Sequence, residues 1–408
     1  MTARPRVLVF SSLLPVPVDR GDRNRLFHIL ELLASMASVR LVAIERAWEP
    51  PLTDWRPQGI DVHRVRLSAA QVTAFGAWAA LTARPYLITR YALPHVRRAV
   101  RAHVADFAPD VFWGYQAPSF PFLADAGRAR RIIDLVDSPT RYVSLVTAHR
   151  GVPIASRLAM AVQWRVAAHE RRAIAAADAA LVNSEADAAF ARTLSGRSDG
   201  IVLFDNCVPE ALLRETWAPP PGPPMLLFVG NLAYVPNAAA VRLILSDILP
   251  RVRQRVPEAR LTVCGARGEG LAREWARVPG VEWRGFVEDL RPLYRESTVM
   301  LVPVPLAGGT QYKLLESMAV GLPAVVSRAS AEVTGIEAGG QVLVGETADE
   351  YADAVCRLLA DRPLADRLSA AARRFVEARH TWESKRTLVA SLLAGARPDA
   401  PAAPSEAQ

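Results

Sequence analysis

The chain has 408 residues, 51% hydrophobic and 22% charged, with a formal net charge of +8 and a pI near 9.8. That length makes room for two domains, each with its own core, and no uncharged apolar run is long enough for a transmembrane helix. Cys207, Cys264 and Cys356 are too far apart for a metal-binding spacing and read as buried thiols of a reducing compartment, while the basic balance favours an anionic partner.

Arg4 and Arg6 before VLVFSSLLPVPV imitate the start of a signal peptide. Pro15, Pro17 and the charged DRGDRNR interrupt it, so the expected location is cytoplasmic. Arg6–Ser12 is a continuous apolar run of strand length, as in a parallel sheet covered on both faces. The spacing then predicts a helix to about Met36, with Asp22 as its N-cap, and a strand over Val39–Glu45. Strand, loop, helix and strand make a βαβ unit, in which ligands sit at the carboxyl ends of strands. Gly21, Asp22, Arg23, Asn24 and Arg25 therefore fall where a ligand would be, although a capped helix with solvated arginines fits the same residues.

Residues 68–90 are apolar, Ala-rich and dotted with aromatics, and arginines flank them at 64, 66, 84, 90, 97, 98 and 101. Contact with an anionic membrane surface fits this pattern, as does an ordinary buried helix pair. Asp110–Tyr115 and Arg131–Val136 read as strands ending in polar loops, at Tyr115-Gln116 and Asp137-Ser138. A helix over roughly 156–176 leads to a strand at Ala179–Asn183, with Ser184 capping the next helix, and Ile201–Phe204 is one more strand. The run APPPGPP at 218–224 is a stiff connector, so the first domain is placed at 1–205 and the linker at 206–224.

A second α/β cycle opens at Met225–Gly230, followed by the loop NLAYVPN, with Asn237 capping a helix to about Arg255. Strands are expected at Arg260–Cys264, Val281–Trp283, Thr298–Val302 and 340–344. Helices follow near 347–361 and 363–379, then one opened by Thr381-Trp382-Glu383, and 396–408 reads as a disordered tail. Between them lies VPVPLAGGTQYKLLESMAVGLPAVVS, residues 302–327: strand end, glycine loop, helix, Gly-Leu-Pro break and strand. Leu314, Leu315, Met318 and Ala319 form the inward stripe, whereas Lys313 and Glu316 share another face. Amides at a helix start and a lysine one turn in suit a diphosphate, and a glutamate suits ribose hydroxyls. A solvated i, i+3 ion pair is the plainer alternative. Lys313 and Lys385 are the only lysines among 49 basic residues.

The stretch GFVEDLRPLYRESTVMLVPVPLAGGTQYKLLESMAVGLPAVVS resembles the nucleotide-sugar domain of GT-B glycosyltransferases, family 4 in particular. The likeness is nearest to exopolysaccharide-type bacterial members. The GDRNR loop after the first strand, FVGNLAYVPN and the TWE-opened final helix share the resemblance, which spans nearly the whole chain. It implies an α/β fold of two Rossmann-like, doubly wound domains facing a cleft. The nucleotide-sugar domain is 225–380, and a helix over 381–395 crosses back to the first domain.

The resemblance further implies transfer from a nucleotide-sugar donor, a co-substrate rather than a cofactor, to a lipid-linked saccharide or polysaccharide acceptor, with retention and without metal. Glu316 would bind ribose, and Gly308, Gly309, Thr310 and Lys313 would face sugar and diphosphate. Lys313, Gly309 and Thr310 make the expected catalytic group. Gly21, Gly230, Asn231, Val287, Gln311 and Leu315 complete the donor set, with the backbone at Phe286-Val287 holding the base. Asp22, Arg23, Arg25, Tyr115, Gln116 and Asp137 form the acceptor side. Peripheral contact with the inner face of the plasma membrane is expected from the net charge and the apolar stretch at 68–90, and nucleic acid is not: the basic residues are scattered and no binding motif accompanies them.

The chain departs from the family at three places. Gly308 stands where a glutamate usually precedes the ribose-binding one by eight residues. FWGYQAP at 112–118 lacks the usual histidine. The Arg and Lys that often follow the Gly230 loop are also missing, leaving their work to Lys313 or to Arg23 and Arg25. Two other readings therefore stay open: an inactive homologue that only binds, and a sugar-nucleotide epimerase.

Overall fold

The computed structural model describes residues 4–47, 55, 57–82, 84–148, 165–266, 268, 270, 275, 277–304 and 309–396. The chain divides into two compact units, Met1–Asp205 with Lys385–Gln408, and Asn206–Ser384.

The first unit is built on a seven-stranded sheet of β1 (Arg6–Ser11), β2 (Ser38–Arg46), β3 (Ile60–Leu67), β4 (Val111–Tyr115), β5 (Arg130–Val136), β6 (Ala179–Val182) and β7 (Ile201–Leu203). The strands run parallel in the order β3-β2-β1-β4-β5-β6-β7. Val7, Leu8, Val9 and Phe10 are fully buried, as their uninterrupted apolar run requires of a strand covered on both faces. β3 has no such run and escapes sequence reading: IDVHRVRL is an edge strand, paired on one side only and mostly half-exposed, so charged residues are tolerated along it.

Several local expectations change. The first helix starts at Gly21 with Arg20 as N-cap, so Asp22 sits inside the first turn; its Oδ1 accepts from the Arg23 N–H and its Oδ2 from the Arg20 guanidinium. Residues 68–90 resolve into the helices Ala69–Leu81 and Tyr86–Thr89. The helix expected from 156 is seen from Val166 to Ala176; residues 149–164 lie outside those described. Ser184 does cap the helix Glu185–Ser195, its hydroxyl accepting from the Asp187 N–H. The final helix, Trp382–Leu393, packs from Lys385 onward with this first unit: Lys385 pairs with Asp205, and Arg386 donates to Ser35 Oγ at 3.1 Å. The expected tail lies, from 397, outside the described residues.

The second unit holds a six-stranded parallel sheet of β8 (Met225–Val229), β9 (Arg260–Cys264), β10 (Val281–Trp283), β11 (Val299–Val302), β12 (Ala324–Ser327) and β13 (Leu343–Gly345). Its order is β10-β9-β8-β11-β12-β13. The segment read as a connector is packed onto this unit. It forms the short helix Glu210–Leu213 and buries Trp217, whose indole donates to Ser297 O at 2.8 Å and whose backbone N–H donates to Val320 O. Among the described residues no helix is long and apolar enough to cross a membrane.

Candidate active site

In both sheets the strand order reverses beside the first strand of the unit, between β1 and β4 and between β8 and β11. In an open parallel sheet, ligands bind outside the carboxyl ends of the strands at that switch point.

In the second unit the switch point is bounded by the loop after β8 and the helix Tyr312–Val320 after β11. Gly230 directly follows β8, and its N–H donates to Cys264 O at 2.9 Å. Gly265 follows at φ +152°, donating to Gly285 O at 2.7 Å; a Cβ on it would lie 1.8 Å from Gly230 O. Only glycine fits there, and the loops after β8, β9 and β10 are thereby drawn together. A Cβ on Gly230 would in turn fall 2.8 Å from Lys313 Nζ and 2.7 Å from Asn237 Nδ2. The lysine from one side of the switch point thus lies directly against the glycine from the other.

Asn237 is what holds it there. The helix Val235–Leu243 begins two residues earlier than the expected cap, with Tyr234 as N-cap, which frees the Asn237 side chain for another task. Its Nδ2 donates to Asn231 O at 2.9 Å, and its Oδ1 accepts from Lys313 Nζ at 2.6 Å. Lys313 also stands over the Phe228 ring, 4.4 Å from the centroid. Burial pushes its ammonium down to about 7, against the pull of Glu316. One turn on, Glu316 Oε2 accepts from the hydroxyl of fully buried Tyr294 at 2.7 Å. Burial raises the Glu316 carboxyl, while the Tyr294 hydrogen bond and Lys313 oppose that rise. Both side chains remain half-buried, and among the described residues each has one hydrogen-bond partner.

The helix that carries them is entered from Gly309 and Thr310. Thr310 is buried and its carbonyl accepts from Asn206 Nδ2 at 2.8 Å. Gln311, the N-cap, provides no side-chain cap; its Nε2 donates to Ser330 Oγ at 3.1 Å and its Oε1 is buried with no hydrogen bond among the described residues. Gly308 lies outside the described residues. Leu315 corrects the expected donor set: it is fully buried in the core with Leu314, Met318 and Ala319, and its amide is bonded to Gln311 O. Val287 is half-buried against the same core, and Phe286 beside it is 51% exposed, an open aromatic in the loop after β10.

In the first unit the expected acceptor residues separate into two kinds. Arg25 is fully buried: its guanidinium makes a bidentate pair with Asp134, 3.0 Å to each oxygen, donates to Phe204 O at 2.6 Å and stacks over the Phe204 ring. It is a structural cation, which corrects the acceptor assignment. Arg23 is buried too, with Asp19 at 2.9 Å, and the buried Tyr115 hydroxyl donates to Asp22 O at 2.6 Å. Gln116 and Asp137 are more open, as is Gly21 of the expected donor set. Gln116 holds φ 62° and ψ 170°, a region that is nearly glycine's alone, fixed by its N–H on Asp134 O and by Ser119 on its carbonyl. Val136 has φ 61°, where β5 and β6 slip register. Such strain gathers at functional sites. Asp137 follows directly. The residue is exposed, yet protein crowding around its carboxyl and neighbouring Asp187 push it up to about 6; its Oδ1 accepts from Asn183 Nδ2 at 3.2 Å.

Residues 223–361 match the family model described as glycosyl transferases group 1. No curated protein matches the chain. Among solved structures, the sucrose-phosphate synthase of Thermosynechococcus elongatus is 18% identical, with a TM-score of 0.74 over 95% of this chain and 98% of that one. HepE of Anabaena, in complex with UDP-glucose, is 12% identical, with a TM-score of 0.67 over 96% and 100%. The α,α-trehalose 6-phosphate synthase of Burkholderia multivorans is 14% identical, with a TM-score of 0.67 over 96% of each chain. These likenesses, with the two parallel sheets, define the fold as GT-B. The chain is a glycosyltransferase, and its second unit carries the group 1 glycosyl transferase domain.

Proposed function

We propose that the second unit binds a nucleoside diphosphate sugar and that the sugar passes to a lipid-linked saccharide or polysaccharide held by the first unit. The observation that carries this reading is Lys313 Nζ set against Gly230 at the switch point, with Glu316 one turn along on the same half-buried face. In this reading Lys313 and the amides of Gly308, Gly309 and Thr310 meet the diphosphate as negative charge develops on it. Glu316 accepts from the ribose hydroxyls, and the Phe286-Val287 segment holds the base. HepE and the E. coli trehalose-6-phosphate neighbour, whose structures contain UDP-glucose and UDP-2-fluoro glucose, support a donor of this class.

On the first unit, Asp137 after β5 receives the hydrogen bond of the acceptor hydroxyl, with Gln116 after the neighbouring β4. Retention and independence of metal rest on the family resemblance, and membrane contact on the basic charge and the apolar stretch at 68–90. Titration calorimetry with UDP, GDP, ADP and their sugar conjugates, without acceptor, tests the donor site. One nucleoside diphosphate is expected to bind at micromolar Kd; binding by none of them refutes the reading.

A further inference from the structure

The helix Ala69–Leu81 has no charged residue along AAQVTAFGAWAAL, yet most of it faces solvent: Trp78 is 41% exposed and Leu81 87%. An apolar helix of a water-soluble unit is normally buried. Gly76 lets it lie close on the next helix, since a Cβ there would be 3.1 Å from the Tyr86 ring, so only one side is covered. Beside it is an open cavity of about 720 Å³, with Phe75 and Trp78 on the apolar wall and Arg84, Arg97, Arg98 and Arg101 around it. Arg84 stacks on Trp78, 4.4 Å from the ring centroid.

Arg97 and Arg101 share one carboxylate, Asp125, while Arg84 and Arg98 have no carboxylate partner among the described residues. Arg97 and Arg98 also crowd the start of the helix Pro94–Phe107, which has no acidic residue in its first turn. Cations there oppose the helix dipole, and an anion lying between them relieves both.

We propose that this cavity takes the phosphate of an anionic glycerophospholipid within a bilayer, while Phe75, Trp78 and Leu81 enter the headgroup–acyl boundary. At 13 residues the helix is about 20 Å long, short of the roughly 30 Å hydrocarbon core, so it lies along the surface. Trp suits that depth, and guanidinium suits phosphate. The inference rests on the proposed lipid-linked acceptor, because it brings the first unit to the surface where such an acceptor resides.

The test is co-sedimentation with phosphatidylglycerol–phosphatidylcholine vesicles and with pure phosphatidylcholine vesicles, with no nucleotide or acceptor present, so its failure leaves the donor site untouched. Binding to the anionic vesicles alone is expected. Arg84→Ala with Arg98→Ala should weaken it about 30-fold, the loss of two surface cations at an anionic leaflet. Leu81→Asp, at an exposed position that leaves the fold intact, should weaken it as well. Equal binding to both vesicles, no binding, or insensitivity to these variants overturns the proposal. Release by soluble glycerol phosphate also overturns it, because the cavity would then serve a soluble phosphorylated ligand.

Discussion

The two sheets share the order 3-2-1-4-5-6, yet their switch points treat polar side chains in opposite ways. At β8 and β11 the lysine and glutamate each make one hydrogen bond among the described residues and stay half-buried. At β1 and β4 the conspicuous groups are bonded inward: Arg25 to Asp134, Arg23 to Asp19, and Tyr115 to Asp22 O. A position at the carboxyl end of a strand therefore makes a residue a site candidate, and only its remaining hydrogen-bonding capacity makes it a ligand contact. The first unit presents instead two strained strand ends, Gln116 and Val136, with an exposed carboxyl after the second.

The contrast breaks most visibly if Arg25 is a ligand contact after all. Arg25→Ala leaves the Asp134 carboxylate buried and unpaired, and should cost about 3–5 kcal/mol of stability in denaturant unfolding. A variant as stable as the parent would return Arg25 to the acceptor side. Asp137 sharpens the comparison next. With its carboxyl near 6, it is ionised above that pH, so kcat/KM for the acceptor should rise through about pH 6 and level off. Asp137→Asn should remove that limb and lower turnover by about 10²-fold or more; an unchanged profile would separate the strained loop from the chemistry. The smallest effect is at Tyr294. Tyr294→Phe removes the hydroxyl on Glu316 and should weaken nucleotide binding about fivefold, on the order of 1 kcal/mol. Binding should also become more acid-sensitive, because that hydroxyl helps to hold the Glu316 carboxyl down. Equal affinity at every pH would show Tyr294 to be packing alone.

How far the sequence was legible follows from the range of each interaction. β1 and β8 are apolar runs, and the Lys313–Glu316 face is a helical spacing, so both can be read locally. β3 cannot, because an edge strand needs no apolar run. Arg25 looked like a ligand residue because its partner is 109 positions away. Asn237 looked like a cap because Ser, Asp and Asn before an apolar run usually are; its lysine is 76 positions away. Tyr294, 22 residues before Glu316, had no signal at all. Leu315 was drawn into the donor set by its neighbours in the motif, although its own place in the apolar stripe already put it in the core.

The central claim is that Lys313 meets the diphosphate and Glu316 the ribose. Calorimetry of the parent, Lys313→Ala and Glu316→Ala with a nucleoside and its diphosphate, for the base that binds best, tests it most directly. Lys313→Ala should erase most of the preference for diphosphate over nucleoside and leave nucleoside affinity alone. Glu316→Ala should weaken both ligands by the same factor. In the parent, diphosphate affinity should fall as pH rises above 7, because the ammonium that titrates near 7 must be charged to hold the anion, and that slope should vanish with Lys313. A diphosphate preference that survives Lys313→Ala, or nucleoside affinity indifferent to Glu316→Ala, would contradict the account.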